Sequence, residues 1–285
     1  MRVLGADFTS APKGSKKIVV AEGELEAEAL HVSTHHDMAT LEQFARLLDD
    51  PGPWVIAIDF PFGLPARLVE ESGWQDSWLG YVSDCAAVGK QRFIDYLRNY
   101  RHPVTGERRL LRETDRLAGS RSPMQVDFTP VGRMFFVGAQ ILAASSCTVV
   151  PFRTGPIDAG VVVEGYPRLV AVKAVGTAPY KSERPSEARP AETRVRQRIL
   201  NWLSSDEISR HYGFTVLADN AVIRDCRDDV RGDTLDAVLC AVQAGWAWTK
   251  RRRRYGVPSL GHNVEDLEGW IVDPHTLRRH LQTPA

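Results

Sequence analysis

The chain has 285 residues, a formal net charge of +0 and 43% hydrophobic residues, with 36 basic side chains against 36 acidic ones. That balance excludes gross disorder and a protein that coats nucleic acid through a wholly basic surface, and the length suffices for a core without disulfide staples. Residues 1–7 run into a strand-like segment with no basic-then-apolar leader, and no apolar run approaches the roughly 18 residues of a membrane span, so a cytoplasmic protein without membrane contact is expected.

In chain order, residues 2–9 read as a short apolar strand, residues 17–21 as a second strand rich in β-branched side chains, and residues 25–32 as a third, together a meander. Thr40 and Gln43 have capping-box spacing. Leu41, Phe44, Ala45 and Leu48 recur at i, i+3, i+4 and i+7, which predicts a helix with one face on a sheet before Pro51. Trp54-Val55-Ile56-Ala57-Ile58-Asp59 suits a central strand covered on both faces, ended by Pro61 and Pro65. Residues 66–146 are mostly helical, with one long helix over 81–100 and another opened by Pro130 and running through Ala144. We read them as a helical insertion after the fourth strand of a single domain spanning residues 1–285. Val149 and residues 160–164 read as strands, residues 194–203 as a helix and residues 214–218 as a strand. Residues 182–191, rich in Pro, Glu and Arg, read as a mobile loop. Residues 233–248 are strongly helical, with Leu235, Val238, Leu239, Val242 and Trp246 on one face. Cys85, Cys147, Cys226 and Cys240 form no Cys-x-x-Cys pair and are expected to be reduced and partly buried.

Chemistry concentrates in carboxylates at the ends of elements. Asp7 closes the first apolar strand and Asp59 the fourth, so if those strands are neighbours both acids emerge at one edge. Glu164 closes Val161-Val162-Val163 in the same way. Asp233 and Asp236, three apart at the start of the last apolar helix, share a side, with Asp233 the expected N-cap. Any one of these acids is ordinary by itself. Several at element ends are what hard divalent ions require, since magnesium and manganese take carboxylate oxygens. Phosphate-loop, nucleophile-elbow and zinc-protease motifs are absent, and His35-His36 reads as a surface pair in a loop. Arginines crowd the stretch between Arg98 and Arg121, and a second basic run covers residues 250–254.

Gly5-Ala6-Asp7-Phe8-Thr9, Ile58-Asp59-Phe60-Pro61-Phe62-Gly63, Arg112-Glu113-Thr114-Asp115, Glu164-Gly165-Tyr166-Pro167, Gly232-Asp233-Thr234-Leu235-Asp236 and Glu268-Gly269-Trp270-Ile271 stand in an order that resembles a domain-of-unknown-function family described as predicted ribonuclease-H-like nucleases. The resemblance implies an α/β fold, a ribonuclease-H-like mixed sheet flanked by helices. It also implies catalytic Asp7, Asp59, Glu164 and Asp236, with Asp233 a fifth metal ligand. Phe60 departs from the small residue that members often carry there and is expected to narrow the pocket. The expected activity is phosphodiester hydrolysis with two magnesium or manganese ions on a nucleic-acid or nucleotide substrate, whose phosphates Arg112, Arg116 and Arg121 would contact. Two rivals keep the same residues: an ATP-dependent phosphotransferase of the same superfold, and a noncatalytic nucleic-acid- or protein-binding module.

Overall fold

The computed structural model describes residues 1–156, 158–182, 190–261 and 264–283. Strand alternation sets its layers. In β1 (Arg2–Asp7), Val3 points into one core while Leu4 and Ala6 point into another, so the strand is covered on both faces. β2 (Ile18–Glu26) pairs antiparallel with β1, and β3 (Ala29–Met38) antiparallel with β2. β4 (Trp54–Ile58) runs parallel to β1 on its other side. With β5 (Thr148–Val149), β6 (Val161–Glu164) and β7 (Thr215–Ala218), these make a seven-stranded mixed sheet in the order β5-β6-β4-β1-β2-β3-β7.

One face carries α1 (Leu41–Leu48), α2 (Ala66–Glu71), α3 (Trp78–Val88), α4 (Lys90–Asn99) and, after the short α5 (Glu113–Ala118), α6 (Val131–Ala144). The other carries α7 (Pro167–Val175), α8 (Pro190–Leu203), α9 (Asp206–Tyr212), α10 (Asn220–Asp228) and α11 (Asp233–Thr249). α12 (Pro274–Gln282) packs against α5. Among the described residues no helix is long and apolar enough to cross a membrane.

Gly5 fixes the most consequential contact. A Cβ there would stand 2.0 Å from the Ala241 nitrogen and 2.2 Å from the Ala237 oxygen, so the α11 backbone lies directly on β1. Unlike the one-faced helix expected, α11 is buried all round from Thr234 to Ala247, the pattern of a helix enclosed in a core.

Other boundaries moved for local reasons. The second turn falls at Ala27, which adopts a φ of 44°, so Leu25 belongs to β2 and the third strand starts at Ala29. Gly89, with a φ of 86°, splits the long helix expected over 81–100 into α3 and α4. His35 and His36 lie in β3 rather than a loop, facing Asp225 and Glu22 at 3.1 and 3.2 Å. The capping box at Thr40 and Gln43 is present as read. All four cysteines are free and buried. Of the loop expected over 182–191, residues 183–189 lie outside the described residues, and Pro190 and Ala191 already belong to α8.

Candidate metal centre and adjoining cleft

Parallel pairing of β1 with β4 matches Ala6 to Ile58, so the next residues, Asp7 and Asp59, leave neighbouring strands at the same edge. Parity then decides where they point. Val3 and Ala57 belong to the core beneath α11, and Asp7 and Asp59 lie an even number of residues further on, hence on that same face. Asp236, in the first turn of α11, comes down onto them. One carboxylate oxygen from each of Asp7, Asp59 and Asp236 lies within 4.8 Å of the others. Asp7 is 7% exposed and Asp236 only 1%.

Burial opposes three negative charges held so closely. It raises Asp59 to about 7, with the charge of Asp236 adding to the effect. Burial likewise lifts Asp7 well above the usual carboxylate range and raises Asp236. The local counter-charge is a residue for which the sequence carried no signal: the Lys181 ammonium contacts Asp236 Oδ2, while the Tyr180 hydroxyl donates to Oδ1 at 2.8 Å. These residues enter from the segment after α7, far in sequence from Asp7, Asp59 and Asp236.

Glu164 does not join the trio. It pairs with Ile58 rather than with the position of Asp59, one step short, and so points to the opposite face of the sheet. There Arg112 donates to both its oxygens, at 2.6 and 2.8 Å, and Phe62 donates its N–H at 2.9 Å. Arg112 in turn donates to Asp115 at 2.8 and 3.0 Å and to the Glu268 carbonyl at 2.9 Å. With 1% exposure and its donors engaged, Arg112 is no phosphate ligand; that expectation is corrected. Glu268, unassigned by the sequence reading, accepts from the Ala66 and Glu113 nitrogens at 3.0 and 2.7 Å. Three of the quoted motifs therefore form one buried polar knot tying α5 and the C-terminal segment to β6.

Asp233 stands in the first turn of α11, outside the converging trio, and Gly232, with a φ of 73°, takes the N-cap position expected for Asp233. Asp229 does the capping work instead, accepting from the Thr234 nitrogen at 2.9 Å and its hydroxyl at 3.2 Å. Of the two remaining arginines, Arg116 is exposed on α5, whereas Arg121 lines a cleft of about 160 Å³ that also touches Asp59, Phe60, Met134 and Tyr166. Phe60 lines this cleft, its ring buried and packed against Phe8 and Phe62 with centroids at 4.7 and 5.0 Å. In the basic run, Arg254 pairs with Glu265 at 2.6 Å and Arg251 lies 4.8 Å over the Trp248 ring, away from the trio.

Two buried carboxylates and a partly buried one, with Lys181 beside them, converge on one point. That donor set, all hard oxygens from three separate elements, fits a hard divalent ion. No family model, curated protein or solved structure matches the chain.

Proposed function

We propose that the chain is a metal-dependent nuclease of ribonuclease-H-like fold that hydrolyses phosphodiester bonds in a nucleic-acid or nucleotide substrate, with magnesium or manganese held by Asp7, Asp59 and Asp236. The observation that carries the reading is the convergence of these three acids, from β1, β4 and α11, within 4.8 Å. The antiparallel β1, β2 and β3 beside a parallel β4 support it, because they are the arrangement the sequence resemblance implies. A divalent ion held there would supply Lewis acidity, lowering the pKa of a water and stabilising charge on a phosphoryl oxygen. The chain's own groups do the positioning. Tyr180 fixes the rotamer of Asp236, Lys181 offsets the acidic charge, and Arg121 offers a cation to a phosphate at the cleft beside Asp59.

Thermal melting with and without manganese, followed by incubation with a labelled oligonucleotide, tests this. Wild type should gain about 5 °C at saturating metal and cleave the oligonucleotide only with metal present. Asp59→Asn should lose both effects. Cleavage undiminished in Asp59→Asn would overturn the proposal, as would ATP hydrolysis by a wild type that leaves every oligonucleotide intact.

A further inference from the structure

The cleft beside Asp59 has a mixed lining. Phe60, Pro61, Val131 and Met134 give it apolar surface, and Arg121 and Tyr166 line it along with the already paired Arg112, Asp115 and Glu164. While the neighbouring Arg112 is consumed by carboxylates, Arg121 is exposed and makes no hydrogen bond or ion pair among the described residues. The Tyr166 hydroxyl likewise has no partner there; only its backbone N–H is engaged, with Gln243 at 2.8 Å. Both residues line one cleft, and neither the guanidinium nor the hydroxyl has a partner among the described residues.

A third feature lies next to the lining in sequence. Phe128 precedes the lining residue Thr129, is fully exposed at 104%, and holds a φ of 64°, which a bulky side chain seldom adopts. The turn is braced in that form, because Arg98 clamps Asp127 at 3.0 and 3.1 Å and the Thr129 nitrogen donates to the Asp127 carbonyl at 2.8 Å. An aromatic ring held out in water one residue from the cleft lining can serve as a stacking platform.

We propose that this cleft receives one unpaired nucleotide unit, its phosphate meeting Arg121 and Tyr166, its ring against Pro61, Val131 and Met134, and a flanking base on Phe128. Size limits what enters to one ring. Cavities of about 150 Å³ hold one benzene, and this cleft, about 160 Å³ and partly open, has room for one base with the sugar and phosphate toward its open side. A base still paired in a duplex would have to leave its stack to enter. The inference deepens the nuclease reading, on which it rests for the role of Asp59, by naming the form of the substrate: a free mononucleotide or an unpaired strand, both presenting the same unit.

Binding separates the outcomes without any need for cleavage. A fluorescent oligothymidylate, a blunt duplex of equal length and adenosine monophosphate as competitor are titrated into the protein, with magnesium and with chelator. The single strand should bind at least about tenfold tighter than the duplex, and Arg121→Ala and Phe128→Ala should each weaken it by about tenfold. Tyr166→Phe, which keeps the ring and removes the hydroxyl, should weaken it by about threefold. Competition by the mononucleotide at a Kd close to that of the strand assigns a small nucleotide; competition only at far higher concentration assigns an unpaired strand. Equal affinity for duplex and single strand, or unchanged affinity in Arg121→Ala, overturns the inference. The metal-induced rise in melting temperature is read in the same proteins and should be identical in Arg121→Ala and wild type. If that rise is missing from wild type while the single-strand preference and its dependence on Arg121 persist, the cleft stands and the metal reading falls.

Discussion

At the scale of single residues, the site is a problem in charge. Asp59 is raised to about 7 by burial and by Asp236, with Asp7, Asp236 and Glu164 facing it as acids and Lys181 and Lys16 as bases. An unfolded aspartate titrates near 3.9, so between about 4 and 7 the folded state binds more protons than the unfolded one. Stability of the metal-free protein should therefore fall as pH rises through that window. Saturating manganese should flatten the decline, because a bound ion favours the ionised form. Melting temperatures across pH, with metal and with chelator, check this; a metal-free protein whose stability rises from pH 4 to 7 would contradict it. Lys181 gives a second expectation. It shares Asp236 with any incoming cation, so Lys181→Met should tighten manganese binding by about tenfold while lowering the metal-free melting temperature. Unchanged metal affinity, measured by calorimetry, would mean that the ammonium moves aside at no cost.

At the scale of elements, the same type of residue at the same type of place plays opposite roles, and Glu164 shows why. Its carboxylate is buried against Arg112 on the face away from α11. Replacing it by Gln leaves a buried guanidinium under-compensated, a change of about 3 to 5 kcal/mol in such pairs. Glu164→Gln should therefore melt well below wild type yet keep the full manganese-induced rise. Loss of that rise, with the fold intact by circular dichroism, would return Glu164 to the metal centre. Asp7, Asp59 and Asp236 were legible in the sequence because apolar strands and an apolar helix deliver each of them to an element end. Asp7 and Asp59 could be aligned as soon as their strands were taken as neighbours. Glu164 was misplaced because its face depends on a one-residue register with Ile58 that no local pattern encodes. Arg112 was read as a phosphate ligand because arginine-rich composition says nothing of burial. Lys181 and Tyr180 left no trace, being ordinary residues in a connection brought to the acids only by the packing of α7 and α8. The break at Gly89 and the turn at Ala27 were missed for the opposite reason, since each is a single backbone conformation inside a continuous periodic pattern.

At the scale of the molecule, the question is whether ion binding acts locally or on the whole fold. β1 and β4 lie at the centre of the sheet, and α11 is enclosed against them through Gly5. The helical segment between β4 and β5 is no satellite either. Phe93, Phe135 and Leu142 share one continuous core with Leu4, Ala6, Ile56 and Ile58 of β1 and β4. Both cores are thus built on the strands that carry Asp7 and Asp59. A ligand joining those strands to α11 has no separate unit to stabilise and must act on the global transition. The expected melt is a single step, coincident by far-ultraviolet dichroism and by tryptophan fluorescence. Trp74 and Trp78 report on one face of the sheet, and Trp202 and Trp246 on the other. At manganese concentrations about a hundredfold above Kd, both probes should move together by the equivalent of about 2.7 kcal/mol. Amide exchange in β1, β4, α6 and α11 should slow by one common factor, including in α6, which touches no acid of the trio. Two transitions, only one of them moved by metal, would show instead that the helical layer and the sheet unfold apart, and that the carboxylate site governs its own neighbourhood alone.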